Sequence, residues 1–245
     1  MTPDSFSDGG KWNNIDMALK RTEIMIDEGA DIIDIGGEST RPGYEMISAE
    51  EEIGRIIPVI ESIKKHFDIP LSVDTYKSPV AKAALEIGAD LINDIWGLKY
   101  DPEMAHVIAK YNAACCLMHN KKNAEYTDLL SNIKADLLDS ADKALSAGIR
   151  KDKIILDPGI GFGKTYEMNL EVLQRLKEIT DICYPVLLGC SRKSVIGNTL
   201  LLPSDQRLEG TLVTTVQAVF CGCSFVRVHD VKENYRTVKM AKALL

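Results

Sequence analysis

Polar side chains follow several short apolar runs of this chain, and their types could bind and transform a small substrate. Aspartate and asparagine follow three of these runs, whereas lysine, arginine and histidine follow two others nearer the C-terminus. In a parallel barrel, the loops after the carboxyl ends of the strands all open on one face, where active sites form. We therefore expect these side chains to share one site. The candidates are Asp74, Asn93, Asp157, Lys193, Arg227 and His229.

The candidates form two chemical groups. The first group bears carboxylates or an amide, and its members are Asp74, Asn93 and Asp157. Such groups in fixed positions suit a heterocycle that is rich in N–H donors. The second group is basic, and its members are Arg41, Lys193, Arg227 and His229. Basic side chains suit a phosphate or diphosphate, so the residues alone indicate a donor-rich heterocycle that carries a phosphate group.

Each candidate also has a structural alternative. Asp74 and Asp157 could cap the helices that follow them, since aspartate is a good N-cap residue. Asn93 could form a turn, and His229 could be a structural hydrogen-bonding residue. Both aspartates interrupt apolar strands, however, and this position favours carboxylates near the barrel interior.

Two further motifs resemble other kinds of site. Residues 159–165 end like a phosphate-binding Walker A loop, but Pro158 occupies the position of the required first glycine. Lys193 after a barrel strand could form a Schiff base. The polar residues around it, in 191–194, leave no evident desolvated pocket, which argues against that role.

The elements that must position these residues are indicated by periodicity. Seven runs are almost continuously apolar, which is typical of strands buried on both faces of a parallel sheet. They span residues 31–35, 71–73, 91–92, 113–118, 153–156, 186–188 and 225–228. Longer amphipathic stretches predict about eight helices. One begins at a capping box of Ser48 and Glu51, and another has an apolar face of Leu129, Ile133, Leu137, Ala141 and Leu145.

The alternation of strands and helices predicts one α/β domain over residues 1–245. Two architectures satisfy this pattern, a (β/α)8 TIM barrel and an open doubly wound sheet. The barrel is favoured because the helices outnumber the strands by one. We therefore expect a barrel whose N-terminal first strand is missing from this chain.

Composition argues against several classes of protein. The 29 basic and 36 acidic side chains give a net charge of −7 over 245 residues, which argues against a general nucleic-acid binder. No apolar run reaches the roughly 18 residues that a membrane span needs. The six cysteines lie in or beside apolar runs, so we expect free buried thiols and a cytoplasmic location.

Seven motifs occur in the order of a known family. They lie at residues 2–10, 34–43, 72–75, 92–94, 157–164, 191–194 and 227–230. On these motifs the sequence resembles the dihydropteroate synthases, along essentially the whole chain. The resemblance implies a (β/α)8 barrel and a transferase of folate biosynthesis that is the target of sulfonamides. Such an enzyme condenses 6-hydroxymethyl-7,8-dihydropterin diphosphate with 4-aminobenzoate, releasing diphosphate and 7,8-dihydropteroate.

The resemblance also implies a role for each site residue. The residues that hold the pterin are Asp74, Asn93, Asp157 and Lys193. The residues that hold the diphosphate, together with Mg²⁺, are Thr40, Arg227 and His229, and Arg227 also lies against the pterin ring. The 4-aminobenzoate site is shaped by the loop of residues 39–42, which includes Arg41, and by Phe162 and Ser191. Phe6 and Asp8 lie in a loop that closes over a cationic intermediate, so the implied catalytic residues are Phe6, Asp8, Lys193 and Arg227.

The sequence departs from the family pattern at its start. The family has a first strand that ends in an asparagine, which helps to hold Mg²⁺, and here Met1 stands one residue after that position. No metal-ligating residue is therefore assigned, and a wrongly assigned start is one hypothesis. Family members are commonly homodimers, which the apolar stretch 213–220 allows. Two alternatives remain, a non-catalytic pterin-binding barrel and a methyltetrahydrofolate-dependent methyltransferase domain.

Overall fold

The computed structural model describes residues 11–38 and 46–245, without the side chains of residues 11–14. The described residues form two compact units. The first contains residues up to Cys115 together with Lys143–Lys153, and the second contains Cys116–Asp142 and Ile154–Leu245. The single domain expected over residues 1–245 stays a prediction.

Helices and strands alternate along both units, except at two strands of the second unit, each of which is followed by two helices. The elements of the first unit are α1 (Lys11–Asp27), β1 (Ile33–Gly36), α2 (Ala49–His66), β2 (Leu71–Asp74), α3 (Ser78–Glu86), β3 (Leu91–Asp94) and α4 (Met104–Lys110). Two elements have residues in both units, β4 (Ala114–Met118) and α5 (Leu129–Ser146). The elements of the second unit are β5 (Ile154–Asp157), α6 (Tyr166–Gln174), α7 (Lys177–Thr180), β6 (Leu187–Leu188), α8 (Ser194–Leu200), α9 (Leu208–Phe220), β7 (Phe225–Val226) and α10 (Val231–Lys242). Short 3-10 helices at Lys151–Lys153 and Ser204–Gln206 precede β5 and α9.

Parallel pairing places the strand ends of the first unit side by side. β1 pairs with β2, and β2 pairs with β3. The register places Gly36 beside Asp74, and Asp74 beside Asn93. Every residue of β2 and β3 is buried, as expected for strands that are covered on both faces.

The second unit carries a parallel pair of its own. Leu187 of β6 lies beside Phe225 of β7. Leu156 of β5 forms a further parallel bridge to Val186, directly before β6. Because the strands are parallel, β5, β6 and β7 end on the same side.

The predicted strands all lie within the described residues, and each is present within two residues of its predicted ends. The described residues contain ten α-helices rather than about eight, because two helices follow each of β5 and β6.

In α5 the prediction that Leu145 lies on the buried face is wrong, since it is 40% exposed while Ala144 is buried. Each step of four residues turns roughly 40° beyond a full rotation, so this spacing leaves the buried face after a few steps.

Two expectations from composition can be compared with the structure. In the part of the chain that is described, no helix is long and apolar enough to cross a membrane. All six cysteines are free, and four of them are buried, as predicted. Two cysteines differ from the prediction, because Cys223 is only half-buried and Cys183 is exposed, in a left-handed backbone conformation with a φ of 60°.

Candidate substrate site

Two predicted substrate-binding residues lie side by side at the strand ends of the first unit. Asp74 ends β2 and is paired with Asn93 of β3, so both side chains project from the same face of the sheet. Both residues are buried, and the Thr75 N–H donates to the Asn93 carbonyl at 3.1 Å. Asp74 is not a helix cap, because Lys77 is the N-cap residue of α3. The first unit thus offers a carboxylate and an amide at one place.

Asp94, the neighbour of Asn93, holds a turn. Strand residues alternate between the two faces, and the Asp94 carboxylate accepts the N–H groups of Trp96 and Leu98, each at 2.8 Å. Burial raises the pKa of Asp94 to about 6. The turn includes Leu98 with a left-handed φ of 62°. Asp94 therefore shapes the backbone after β3, which leaves Asn93 as the substrate candidate of this strand.

A buried cluster of charges, of which only Glu38 lies in a sequence motif, follows β1 and β2. The Lys77 Nζ lies 2.7 Å from Glu38 and 2.8 Å from Glu52. Tyr76 donates its hydroxyl to Glu38 at 2.5 Å. Glu38 and Glu52 are only 3% and 1% exposed. These four residues, Glu38, Glu52, Tyr76 and Lys77, are named the Lys77 cluster.

Burial and pairing act in opposite directions within the Lys77 cluster. Burial opposes the ionisation of Glu38, but the bonds from Lys77, Tyr76 and the Ile47 N–H outweigh it and lower the pKa of Glu38. Burial dominates at Glu52 and raises its pKa despite the contact with Lys77. Burial also opposes the charge on Lys77, but the two carboxylates outweigh it and raise the pKa of Lys77. The cluster therefore keeps Lys77 charged, with Glu38 as its ionised partner.

The Lys77 cluster also joins the two ends of a segment that carries predicted site residues. Glu38 accepts the Ile47 N–H at 2.9 Å, and Lys77 donates to the Ile47 carbonyl at 2.8 Å. The predicted residues Thr40 and Arg41 fall between these ends and lie outside the described residues. The cluster thus holds Glu38 and Ile47, the described residues that flank this segment, together.

In the second unit, Asp157 ends β5 as a buried carboxylate. Its Oδ1 accepts the Gly159 N–H at 2.7 Å, and its carbonyl accepts the His119 N–H at 2.9 Å. Burial raises the pKa of Asp157, although positive charges, of which Lys193 contributes most, oppose this. Thr165 is the N-cap residue of α6, so Asp157 is not a helix cap either.

The loop after β5 places Phe162 against Lys193. The Lys193 Nζ lies 4.9 Å from the centroid of the Phe162 ring and donates to the Ile160 carbonyl at 2.5 Å. Lys164, the lysine of the Walker-like motif, donates to the carbonyls of Gly159 and Phe162 in its own loop. The structure therefore brings Phe162 and Lys193 together and directs Lys164 onto the loop itself.

Ser191 and His229 form a second contact in this unit. The Ser191 hydroxyl lies 2.9 Å from His229 Nδ1, and its oxygen accepts the His229 N–H at 3.2 Å. Partial loss of hydration, together with the positive charges of Arg192 and Arg227, lowers the pKa of His229 to about 4. His229 is therefore neutral near pH 7. The positive charge of the basic group thus comes from its arginine and lysine members.

Ionic and polar contacts hold the loop at residues 191–194. Arg192, with a left-handed φ of 59°, forms a two-point ion pair with Asp230. Arg207 donates to the Arg192 carbonyl at 2.8 Å, a supporting role that no motif indicates. Arg227 follows β7 directly and is exposed.

The predicted site residues divide between the two units. Those of the first unit are Asp74 and Asn93, and those of the second are Asp157, Phe162, Ser191, Lys193, Arg227 and His229. Those outside the described residues are Phe6, Asp8, Thr40 and Arg41. Among the described residues, no group of three or more histidine, cysteine, aspartate or glutamate side chains could hold a metal ion.

Comparison with known proteins assigns the chain to a family. The sequence pattern of the family described as pterin binding enzyme matches residues 1–229. The dihydropteroate synthase of Clostridium beijerinckii is 59% identical over 245 residues, which are 100% of this chain and 91% of that protein. The chain belongs to the dihydropteroate synthase family.

Solved structures of dihydropteroate synthases are similar to the chain over almost its whole length. The Clostridium difficile protein, solved in the presence of pteroic acid, has a TM-score of 0.97 at 52% identity, covering 99% of this chain and 93% of its own. The Xanthomonas albilineans protein, solved with 4-aminobenzoic acid, has a TM-score of 0.94 at 38% identity, covering 99% and 89%. The predictions of an α/β TIM-barrel fold class and of a dihydropteroate synthase, a transferase, are thereby confirmed.

Proposed function

We propose that this chain condenses 6-hydroxymethyl-7,8-dihydropterin diphosphate with 4-aminobenzoate, releasing diphosphate and 7,8-dihydropteroate. The observation that carries the proposal is the buried Asp157 carboxylate, whose environment includes the charge of Lys193, together with the contact of Lys193 with Phe162. The pteroic acid and 4-aminobenzoic acid present in the structures of two relatives support these two substrates.

Asp157 is suited to the N–H edge of a pterin. The Gly159 N–H holds its Oδ1 and so orients the carboxylate, and we assign its Oδ2 to the ring. A buried carboxylate that meets N–H donors forms strong charge-assisted hydrogen bonds. Lys193 of the same unit, and Asp74 and Asn93 of the first unit, are the further residues that we assign to the pterin.

The reaction needs little acid–base chemistry from the protein. Diphosphate is a good leaving group once its charge is neutralised, and the electron-rich dihydropterin can stabilise a cation at its exocyclic methylene carbon. The amine of 4-aminobenzoate forms the new C–N bond, the C–O bond to diphosphate breaks, and the amine nitrogen loses a proton. We therefore assign to the protein mainly positioning and the exclusion of water. Phe6 and Asp8 are assigned to covering the cation.

The second unit offers groups that suit the diphosphate and the amine substrate. Arg227 supplies positive charge and a planar face for the pterin ring, and the neutral His229 supplies a ring nitrogen that Ser191 orients. Thr40 is assigned to the diphosphate as well. The residues assigned to 4-aminobenzoate are Arg41, Phe162 and Ser191. Sulfonamides would compete for the same place, so we also propose inhibition by sulfonamides.

Mg²⁺ is proposed as a counter-ion of the diphosphate, and when bound it would offset negative charge on the leaving group. Arg227 is cationic and therefore fits the anion rather than the metal. The described residues also contain no cluster of metal ligands. We assign no protein ligand to Mg²⁺ and propose that the ion accompanies the diphosphate, to which Thr40, Arg227 and His229 are assigned.

A homodimer and a cytoplasmic location are proposed from the surface and the thiols. Val213 and Phe220 of α9 and Met240 of α10 are 69%, 45% and 60% exposed. These apolar side chains could be covered by a second copy of the chain. The six free cysteines are typical of a reducing compartment.

Release of diphosphate tests the proposed function. The wild type should release it when both substrates are present. Asp157→Asn keeps an acceptor for the Gly159 N–H but loses the charge, so we expect kcat/KM to fall about 100-fold. The control Asp152→Asn changes an exposed aspartate that pairs with Arg150, and it should keep wild-type activity.

Three outcomes would contradict parts of this proposal. Binding of the pterin substrate without diphosphate release would support the non-catalytic alternative. An unchanged kcat/KM in Asp157→Asn would exclude the assignment of that carboxylate to the pterin. Equal losses in Asp157→Asn and Asp152→Asn would show a general effect of removing negative charge.

A further inference from the structure

A chain of hydrogen bonds joins helix α5 to the loop after β5. Asp136 Oδ2 lies 2.6 Å from His119 Nδ1, and His119 Nε2 lies 3.0 Å from the Tyr126 hydroxyl. Tyr126 donates that hydroxyl to the Gly163 carbonyl at 2.8 Å. His119 is fully buried, and Gly163 directly follows Phe162. Asp136, His119 and Tyr126 are named the Tyr126 relay.

The protons of the Tyr126 relay can be counted. Its two ends, the Asp136 carboxylate and the Gly163 carbonyl, both accept hydrogen bonds, so the three contacts need three protons. A neutral imidazole and a tyrosine hydroxyl supply only two. One contact would then bring lone pairs together in a buried place, which is costly. A doubly protonated His119 supplies the missing proton, and the carboxylate of Asp136 balances its charge.

Ordinary acidities place this proton on the ring rather than on the carboxyl group. A free imidazole, with a pKa of about 6.5, holds a proton more firmly than a free aspartate, with about 3.9. Burial, and then the negative charge of Asp136, raise the pKa of Tyr126 to about 12, so its hydroxyl stays protonated and can donate. Among the described residues, a further charged group that faces the relay is Lys121, whose Nζ lies 4.6 Å from the centroid of the Tyr126 ring.

Two side chains hold the loop on either side of Phe162. Asn169 accepts the Gly161 N–H at 2.7 Å, and Tyr126 binds the carbonyl of Gly163. Gly163 has a left-handed φ of 54°, and a Cβ atom there would lie 2.5 Å from a backbone oxygen of the neighbouring segment. The loop contains no helix or strand in this stretch, so these contacts help to determine where Phe162 lies, together with the bonds from Lys164 to the Phe162 carbonyl and from Lys193 to the Ile160 carbonyl.

We propose that the Tyr126 relay positions Phe162 for the amine substrate, with His119 as an imidazolium paired with Asp136. The three residues of the relay are positioning residues, because they act on the substrate through the loop. The inference rests on the proposed function, which assigns Phe162 to 4-aminobenzoate.

Tyr126→Phe removes only the hydroxyl that reaches the loop. The loss of one hydrogen bond should raise the KM for 4-aminobenzoate about two- to tenfold, while the KM for the pterin diphosphate stays unchanged. Amide hydrogen exchange at residues 161–164 should become faster. The control Tyr111→Phe also loses a hydroxyl, one that donates to Glu86 at 2.7 Å, and it should change neither KM value.

Nitrogen NMR of His119 tests the proton count. In the wild type near pH 7, both ring nitrogens should carry a proton. Asp136→Asn can donate from its amide to Nδ1, so the relay keeps three bonds with a neutral ring. This variant should keep a KM near that of the wild type while one ring nitrogen loses its proton. Asp136→Leu removes the partner of Nδ1, so the two contacts that remain need only two protons, and the ring should likewise be neutral in this variant.

The outcomes separate this inference from the proposed function. A wild type that releases no diphosphate would count against the proposed function. A wild-type His119 with only one protonated ring nitrogen would exclude the imidazolium. Unchanged amide hydrogen exchange at residues 161–164 in Tyr126→Phe would show that the Tyr126 hydroxyl does not hold the loop. Faster exchange with an unchanged KM for 4-aminobenzoate would show that the relay stabilises the loop without serving that substrate, which overturns the inference.

Discussion

Replacing Lys77 by methionine should destabilise the protein strongly, because two buried carboxylates lose their counter-charge. The Lys77 Nζ lies 2.7 Å from Glu38 and 2.8 Å from Glu52, and the two glutamates are 3% and 1% exposed. Removing one partner of a buried ion pair costs about 3–5 kcal/mol. Methionine is flexible and similar in length, so the packing of the chain stem is largely kept. The expected loss is therefore electrostatic.

Thermal unfolding followed by circular dichroism measures this loss. In a chain of this size each kcal/mol lowers the Tm by about 2–4 °C, so a decrease of about 6–20 °C is expected. The matched control is Lys82→Met, which removes an exposed pair with Glu86 at 3.9 Å and should cost no more than about 0.5 kcal/mol. The double variant Lys77→Met/Glu52→Gln lacks one of the two unpaired charges and should regain part of the loss.

The destabilisation of Lys77→Met should also depend on pH. Without the ammonium group, burial raises the pKa of both carboxylates above the unfolded value of about 4.3. A group whose pKa is higher in the folded than in the unfolded state makes its full contribution to stability at pH values below the unfolded pKa. That contribution is lost as the pH rises through the folded pKa. The difference from the wild type should therefore be small near pH 4 and large near pH 7. A Tm within about 2 °C of the wild type near pH 7 would contradict a buried, paired Lys77.

Two further predictions concern a close approach and a titration. Gly37→Ala should destabilise the protein by about 1–3 kcal/mol, because its Cβ atom would lie 2.7 Å from Glu52 Cγ and 2.9 Å from Ile56 Cγ2. Gly54→Ala in α2, where nothing lies within 4 Å of the new atom, should instead stabilise the protein by up to about 1 kcal/mol. If urea unfolding showed that both substitutions change the free energy of unfolding in the same direction, the predicted clash at Gly37 would be excluded. His229 should titrate near its lowered pKa of about 4, below the ordinary 6.5. The contribution of His229 to stability is then complete above about pH 6.5 and is lost as the pH falls toward 4. A midpoint at or above pH 6.5 in an NMR titration of His229 would contradict this prediction.

Much of the fold could be predicted because burial leaves a local trace in the sequence. Strands that are covered on both faces are continuously apolar, so the seven runs locate β1 to β7 within two residues. Some helix ends carry local signals as well. Ser48 accepts the Glu51 N–H at 3.1 Å, as the capping box predicts. Of the helices after β5 and β6, only α6 has a side-chain cap, at Thr165, whereas α7, α8 and α9 have none, and the number of helices is underestimated.

The candidate site could be predicted in part because polar residues at the ends of buried strands are unusual. Asp74, Asn93 and Asp157 are buried at strand ends, as their positions indicate. The sequence already selects Asn93 over Asp94, and the sheet supplies the physical reason, since the register places Asn93 beside Asp74 and turns its neighbour to the opposite face. Whether these residues bind a pterin stays a prediction.

By itself, the sequence determined the family, the order of strands and helices, and the chemical groups available to a substrate. Only the tertiary structure decided which charges lose water and pair. Glu38 and Lys77 are 39 residues apart, and His119 and Asp136 are 17 apart. Charged side chains in loops and helices are usually exposed, so their types alone predict no burial. Desolvation and pairing depend on segments that folding brings together from distant parts of the chain, and the Lys77 cluster and the Tyr126 relay are both of this kind.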